Sequence, residues 1–389
     1  MKLPIPDLIA LEHSNKLTQR IRQEISLVNG VLNFERFMEL ALYAPGLGYY
    51  SAGQYKLGEY GDFLTAPHIS PLFAKSIARQ CQQVFMEIPS ADILELGAGS
   101  GLFAKDLLLA LEKLNALPRK YFILEVSADL RERQNALFVE SIPHLVHCIH
   151  WLDSLPSQSI NGVIFANEVL DALPVRLFYI DEEGIKERCV TWRDDQFAWQ
   201  LIPANFDFKQ KILPLLQNDI LRLPYQSELN VRLTAWVQSI VSVLNAGIIL
   251  LLDYGYSRAE YYHPDRQMGT LMCFYQHTRH DNPLELIGLQ DITAHVDFTR
   301  VIESVDLSEC SLAGFTTQAD FLLSCGLLSI AEQESLEICD PLQQYKQAQA
   351  IKKLILPGEM GELVKAIALS KQFSVPLLGF QFKDRSGEL

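Results

Sequence analysis

The chain has 389 residues, 49% of them hydrophobic and 21% charged, a composition that fits an ordinary globular protein and excludes wholesale disorder. Its formal charge of −14 repels phosphate backbones, and no Lys/Arg run reverses it locally, so a general nucleic-acid binder is disfavoured and cationic partners are favoured. No apolar stretch approaches transmembrane length, and the seven scattered cysteines, without a C-x-x-C pair, suit reduced thiols in a cytoplasmic protein.

Residues 1–90 read as a mostly helical lead-in. The N-terminus carries charges throughout and no apolar h-region, so a secretory signal is not expected. Apolar residues recur at helical spacing over Ile9–Val28, Phe34–Tyr43 and Pro71–Glu87. Between the last two lies APGLGYYSAGQYKLGEYGDFLTAP, rich in glycine and tyrosine and without a period. A long irregular segment of this kind is usually a working loop.

From Ala91 the pattern becomes short apolar runs alternating with helical segments: Ile93–Leu96, Tyr121–Val126, Leu145–Leu152, Gly162–Ala166 and Gly247–Asp253. That alternation predicts a parallel sheet covered by helices. A gap of about eighty residues separates the fourth and fifth runs. It holds strand-like Arg176–Ile180, Cys189–Trp192 and Phe197–Ile202 and a helix around Leu229–Leu244, an inserted β-rich flap followed by a crossover helix. Met360–Leu369 and Val375–Phe382 read as helix then strand.

The first of these runs leads directly into Gly97-x-Gly99-x-Gly101 and a helix with apolar positions 103, 107, 108, 111 and 114. Glycines let a ligand approach the backbone, and the following helix offers unpaired N–H groups. A plain turn would look the same. Two features argue for a ligand. Position 102 is Leu, where a dinucleotide fingerprint needs a small residue, and the next strand ends in Glu125, placed to accept ribose hydroxyls. Together they point to an adenosine-bearing cofactor, with NAD second. Asp153, after the third strand, could reach an adenine amino group or simply form a turn before Pro156. The fourth strand runs into Asn167, Glu168 and Asp171, at the sheet edge where doubly wound folds bind ligands; a helix start would use the same residue types.

Several segments together resemble the MidA-like S-adenosylmethionine-dependent methyltransferases, the family that includes the mitochondrial complex I assembly protein arginine methyltransferase. They are ALYAPGLGYYS, GDFLTAPHISPLFA, LELGAGSG, ANEVLDALPV, LLDYGY, QDITAHVDF and LPGEMGELVKAIALS, spread over nearly the whole chain. The resemblance implies an α/β class I methyltransferase (Rossmann-like) fold, its seven-stranded sheet ending in an antiparallel strand. The expected organisation is a helical region with a cofactor lid (1–90), a core (91–183 and 229–389) and an inserted substrate-side subdomain (184–228). It also implies S-adenosyl-L-methionine as methyl donor and a protein arginine acceptor, such as a respiratory-complex-type subunit, with no metal, no membrane and a homodimer as one assembly. By position, Glu95, Gly97, Gly99 and Gly101 would line the methionine part and Glu125 the ribose. Asp62, Phe63, Thr65 and Ser70 would fold over the cofactor, while Asn167, Glu168 and Asp171 would face the methyl and Asp253 and Tyr254 border the acceptor cleft. His295 is not expected to act as a base.

Other readings stay open: a small-molecule or RNA methyltransferase, a cofactor-binding assembly chaperone, and a nicotinamide oxidoreductase. His144, His147 and His150 invite a metal reading, but their spacing matches no ligand pair and alternating strand positions face opposite ways. His277 and His280 read as surface residues, and Trp192 and Trp199 as strand core. No G-x-S-x-G elbow occurs.

Overall fold

A computed structural model of the chain describes residues 3–51, 65–216, 222–336 and 338–389. Seven strands of the central sheet are numbered here in chain order: β1 (Asp92–Leu96), β2 (Tyr121–Leu124), β3 (Ile149–Leu152), β4 (Ile160–Asn167), β5 (Leu244–Tyr256), β6 (Ser311–Thr317) and β7 (Val364–Lys371). They lie in the order β6-β7-β5-β4-β1-β2-β3, and only β7 runs antiparallel to its neighbours. An eighth strand, the two-residue Val296–Asp297, pairs in parallel with the end of β5.

Gly162 and Gly247 set the register at the start of the sheet. A Cβ on Gly162 would stand 2.2 Å from the Asp92 carbonyl oxygen, and one on Gly247 1.9 Å from that of Gly162. Both have φ near +130°, so only glycine lets β1, β4 and β5 close up there. Strand order reverses between β1 and β4, which opens a crevice at their carboxyl ends. Apolar side chains fill both faces of the sheet. Helices Pro71–Glu87, Leu102–Lys113 and Gln318–Ser324 pack on one side, and Leu233–Val243 with Phe298–Glu303 on the other.

A second, antiparallel sheet joins Arg176–Asp181, Gly184–Arg193, Gln196–Pro203, Tyr225–Leu229 and the two-residue Leu32–Asn33. The insertion therefore runs from Arg176 to Leu229 rather than 184–228. The apolar face of helix Phe34–Tyr43 is buried against this sheet, with Phe37 meeting Phe197 edge-on at 5.3 Å. The N-terminal helices and the insertion thus share one core instead of forming two separate bodies. A small sheet of Met272–Tyr275, Thr278–His280 and Asp291–Thr293 adds to it.

Two local expectations change. The crossover helix starts at Leu233, because Asn230 Oδ1 accepts the Arg232 and Leu233 N–H groups and ends the strand before it. Val364–Leu369 is strand rather than helix, and Val375–Phe382 is no strand. Pro376 interrupts it, and Phe380 plugs into the space left by Gly314, packing edge-on against Phe321 at 5.4 Å.

Candidate active site

The loop after β1 takes its shape from glycine. Gly97, Gly99 and Gly101 have φ of 70°, 53° and 83°, and Gly101 caps helix Leu102–Lys113. A Cβ at Gly101 would press to 3.1 Å from Phe138, and one at Gly97 to 3.1 Å from Val169. Glu95, at the end of β1, is buried and accepts from the Tyr121 hydroxyl at 2.8 Å. Burial, with the charge of Glu125 nearby, pushes its pKa up to about 8.

Glu125 follows β2 directly. Its Oε1 accepts the Ser127 N–H at 2.9 Å and its Oε2 faces Gln134 Nε2 at 3.4 Å. Gln134 Nε2 also donates to the Gly99 carbonyl at 2.9 Å, so one amide ties the glycine loop to the acid. Burial raises the Glu125 pKa.

The turn after β4 is wound around a carboxylate. Asp253 Oδ2 accepts from the N–H groups of Val169, Leu170 and Asp171 at 3.0, 2.7 and 3.4 Å, while Oδ1 accepts from its neighbour Tyr254 at 2.8 Å. Successive amides converging on one anion form a nest. Glu168 opens it in the left-handed region, at φ 53°. Burial pushes Asp253 to about 7. Burial and the Asp253 charge push Glu168 to about 8 and Asp171 well above the carboxylate range. Asn167 Nδ2 donates to Glu168 Oε1 at 3.0 Å, and Asn167 Oδ1 is a buried acceptor with no donor among the described residues.

A cavity of about 490 Å3 joins these parts, within the usual size of ligand pockets. Glu95, Gly97, Gly99, Glu125, Thr65, Asn167 and Glu168 line it, three carboxylates with no lysine or arginine among the described lining residues. Leu124, Val126, Leu130 and Leu155 give it an apolar wall beside Glu125. A more open recess of about 580 Å3 shares Tyr43, Trp236 and Ser239 with it and runs out past Leu173, Pro174 and Arg232.

Not every expected residue reaches the cavity. Gly101 shapes the loop from behind. Asp171 lies buried beside Glu168, and Asp253, expected at the border of the acceptor cleft, is fully enclosed by its four backbone partners. Tyr254 packs inward against His295, with rings 6.1 Å apart and 21° from parallel. Ser70 caps helix Pro71–Glu87 through the Leu72 N–H. Asp153 is an exposed partner of Arg131 at 2.8 Å, so it stands outside the crevice. Asp62 and Phe63 lie outside the described residues. His295 is buried near Arg266 and Lys365, which depresses its pKa to about 4 and keeps it neutral.

Several lining residues were not singled out from the sequence. Tyr43 and Tyr50 stack at 5.5 Å on the cavity wall, and Tyr50 donates to the buried Asp291 at 2.9 Å, whose charge adds to the rise of the Asp171 and Glu168 pKa values. His68 and Trp236 also line it. His144 pairs with Glu112, His147 bonds the His144 carbonyl, and no metal-holding cluster occurs among the described residues.

Residues 76–316 match the model of an S-adenosyl-L-methionine-dependent methyltransferase family. The chain belongs to that family. Over its full length it superposes with a TM-score of 0.93, at 39% identity and full coverage of both chains, on a Burkholderia thailandensis protein crystallised bound to S-adenosyl-homocysteine. It is 28% identical over 365 residues to the zebrafish protein named mitochondrial protein arginine methyltransferase NDUFAF7, covering 86% of this chain and 82% of that one. The Caenorhabditis elegans homolog of the same name is 26% identical over 94% of this chain and 88% of its own.

These relatives correct the expected cytoplasmic placement, since they are named as mitochondrial proteins. Free thiols, which all seven cysteines are, separate reducing from oxidising compartments and cannot single out the cytoplasm. No helix among the described residues is long and apolar enough to cross a membrane. The methyltransferase cavity fits its cofactor. A carboxylate stands at the tip of β2, positive-φ glycines open the loop backbone, and Asn167 Oδ1 waits for a donor.

Proposed function

We propose that this methyltransferase acts on an arginine side chain of a protein substrate. The observation that carries the proposal is the acidic lining of the cavity: Glu95, Glu125 and Glu168 line it, Asp171, Asp253 and Asp291 are buried nearby, and no lysine or arginine is among the described lining residues. Burial and mutual repulsion hold Glu95, Glu168 and Asp171 above the ordinary carboxylate range, and a cation entering among them relieves that repulsion as they give up protons. The guanidinium, with a pKa above ~12, remains charged at neutral pH and matches planar carboxylate recognition. The names of the curated relatives support the same acceptor.

In this reading Glu125 holds the ribose hydroxyls, and the loop from Gly97 to Gly101 with Glu95 and Thr65 borders the amino-acid end of the cofactor. S-adenosylmethionine supplies a methyl group on a cationic sulfur. Glu168 orients the guanidinium nitrogen in line with that methyl, which is the main requirement of a displacement, and Asp171, buried beside Glu168, acts through it. Asn167 holds the Glu168 carboxylate in place. Glu168, ionised once the cation sits against it, then takes the proton that the nitrogen sheds as it gains the methyl; burial, which raises its pKa, makes it the stronger base. Tyr50 positions Asp291 to complete the negative field. The recess past Leu173 and Pro174 leaves the flanking polypeptide room outside the cavity.

The test is transfer of labelled methyl from S-adenosylmethionine to purified candidate proteins, a respiratory-complex-type subunit first, followed by mass spectrometry of the modified residue. Methylarginine that disappears with Glu168→Gln and Asp171→Asn supports the reading. Full methylation by both variants would remove the orienting role.

A further inference from the structure

The glycine loop is held from one side by Gln134, which bonds the Gly99 carbonyl at 2.9 Å. On the other side stands a histidine that neither the cofactor motif nor the carboxylate cluster accounts for. His68 Nδ1 lies 2.8 Å from Thr65 Oγ1 and its Nε2 lies 3.0 Å from Ser100 Oγ, the residue between Gly99 and Gly101. All three side chains line the cavity. We propose that His68 is a positioning residue for cofactor binding: its imidazole bridges Thr65 to Ser100 and fixes segment 65–70 against the glycine loop.

The chemistry suits a bridge. A neutral imidazole donates from one nitrogen and accepts at the other, and a hydroxyl does either, so both bonds form in either tautomer. Burial disfavours the charged ring and keeps it neutral. The segment it holds is anchored at its far end, where Ser70 caps helix Pro71–Glu87 and Phe73 and Ile77 enter the main core. At its near end the imidazole ties it to the loop. Between the two, the fully buried Ala66 directs its N–H at the Glu168 carboxylate. The bridge thus links the loop that meets the cofactor with the acid at the transfer point. Among the described residues, His68 is the side chain that meets the Ser100 hydroxyl.

Calorimetry of S-adenosyl-homocysteine binding to the full chain tests this without any acceptor. His68→Ala should weaken binding roughly tenfold, the scale of losing a buried hydrogen-bond pair. His68→Gln, whose amide can reach Ser100, should stay within about threefold of wild type. Ser100→Ala should weaken binding too, and the His68→Ala/Ser100→Ala double variant should be no weaker than His68→Ala, because both remove one contact. Hydrogen exchange should rise in peptides covering 65–70 and 97–101 while helix Pro71–Glu87 keeps its protection, a pattern that general destabilisation would not give. Should His68→Ala fail to fold, Thr65→Val and Ser100→Ala carry the test alone. Binding within about twofold of wild type in His68→Ala, or in both hydroxyl variants, overturns the proposal, as do single effects that multiply in the double variant.

Discussion

Glu168→Gln should separate stability from activity in a pH-dependent way. The substitution removes one buried charge and leaves an acceptor oxygen for Asn167 Nδ2, now 3.0 Å from Oε1. In the wild type, burial and the Asp253 charge raise the Glu168 pKa from 4.5 to about 8. The folded state therefore binds this proton more tightly than the unfolded chain does. Its contribution is complete below pH 4.5 and declines as the pH rises towards 8, because the unfolded carboxyl ionises freely while the folded one is penalised. Each pH step in that window costs about 1.4 kcal/mol, which bounds the effect at about 5 kcal/mol. Glu168, Asp171 and Asp253 share one repulsion, so on the order of 2–3 kcal/mol belongs to this residue. Urea unfolding followed by far-UV circular dichroism, without ligand, measures it. The variant should nearly match wild type at pH 5 and exceed it by about 2–3 kcal/mol at pH 8, while methyl transfer falls roughly a hundredfold with loss of the charged contact. A variant whose stability tracks wild type from pH 5 to 8 would refute the assignment of a buried, repelled carboxylate.

Asp253→Ala strips the acceptor from four backbone N–H groups and should lower stability by about 3–5 kcal/mol in thermal unfolding; a loss below about 1 kcal/mol would mean the nest does not depend on it. Gly101→Ala forces a side chain into φ 83° and to 3.1 Å from Phe138, so about 2–4 kcal/mol and most S-adenosyl-homocysteine affinity should be lost, measured by denaturation and calorimetry. S-adenosylmethionine carries a positive sulfur that S-adenosyl-homocysteine lacks. With Glu95 at about 8, the ratio of the two affinities should rise in favour of the cationic ligand between pH 6 and 9, and a flat ratio would show that the lining acids do not sense that charge.

The cofactor half of the cavity was legible because it is continuous in sequence. A strand, three glycines, a helix and a second strand ending in Glu125 occupy one βαβ unit; the alternation predicts a parallel sheet covered by helices, and the seven-stranded sheet with its antiparallel last strand came from the family resemblance. The acceptor half was not. Tyr43, Tyr50, Trp236 and Asp291 come from separate elements, and only the packing of the N-terminal helices, the crossover helix Leu233–Val243 and the small sheet around the crevice brings them together. Asp253 misled for a physical reason: a carboxylate at a strand end reads the same whether it faces a cleft or fills a nest of amides, and the left-handed Glu168 that makes the nest has no sequence signature. Ser70 was readable otherwise, since Ser before Pro at the start of an apolar-periodic segment marks a helix cap. Asp153 needed Arg131 in view before its exposed ion pair could be preferred to an adenine contact.

The most direct measurement is residue-level mass spectrometry of a candidate acceptor after incubation with this chain and isotope-labelled S-adenosylmethionine, run in parallel with Glu168→Gln. The account predicts label on an arginine ω-nitrogen, lost with the variant. Label on lysine, RNA or a small molecule, or arginine label that survives the variant unchanged, would contradict it.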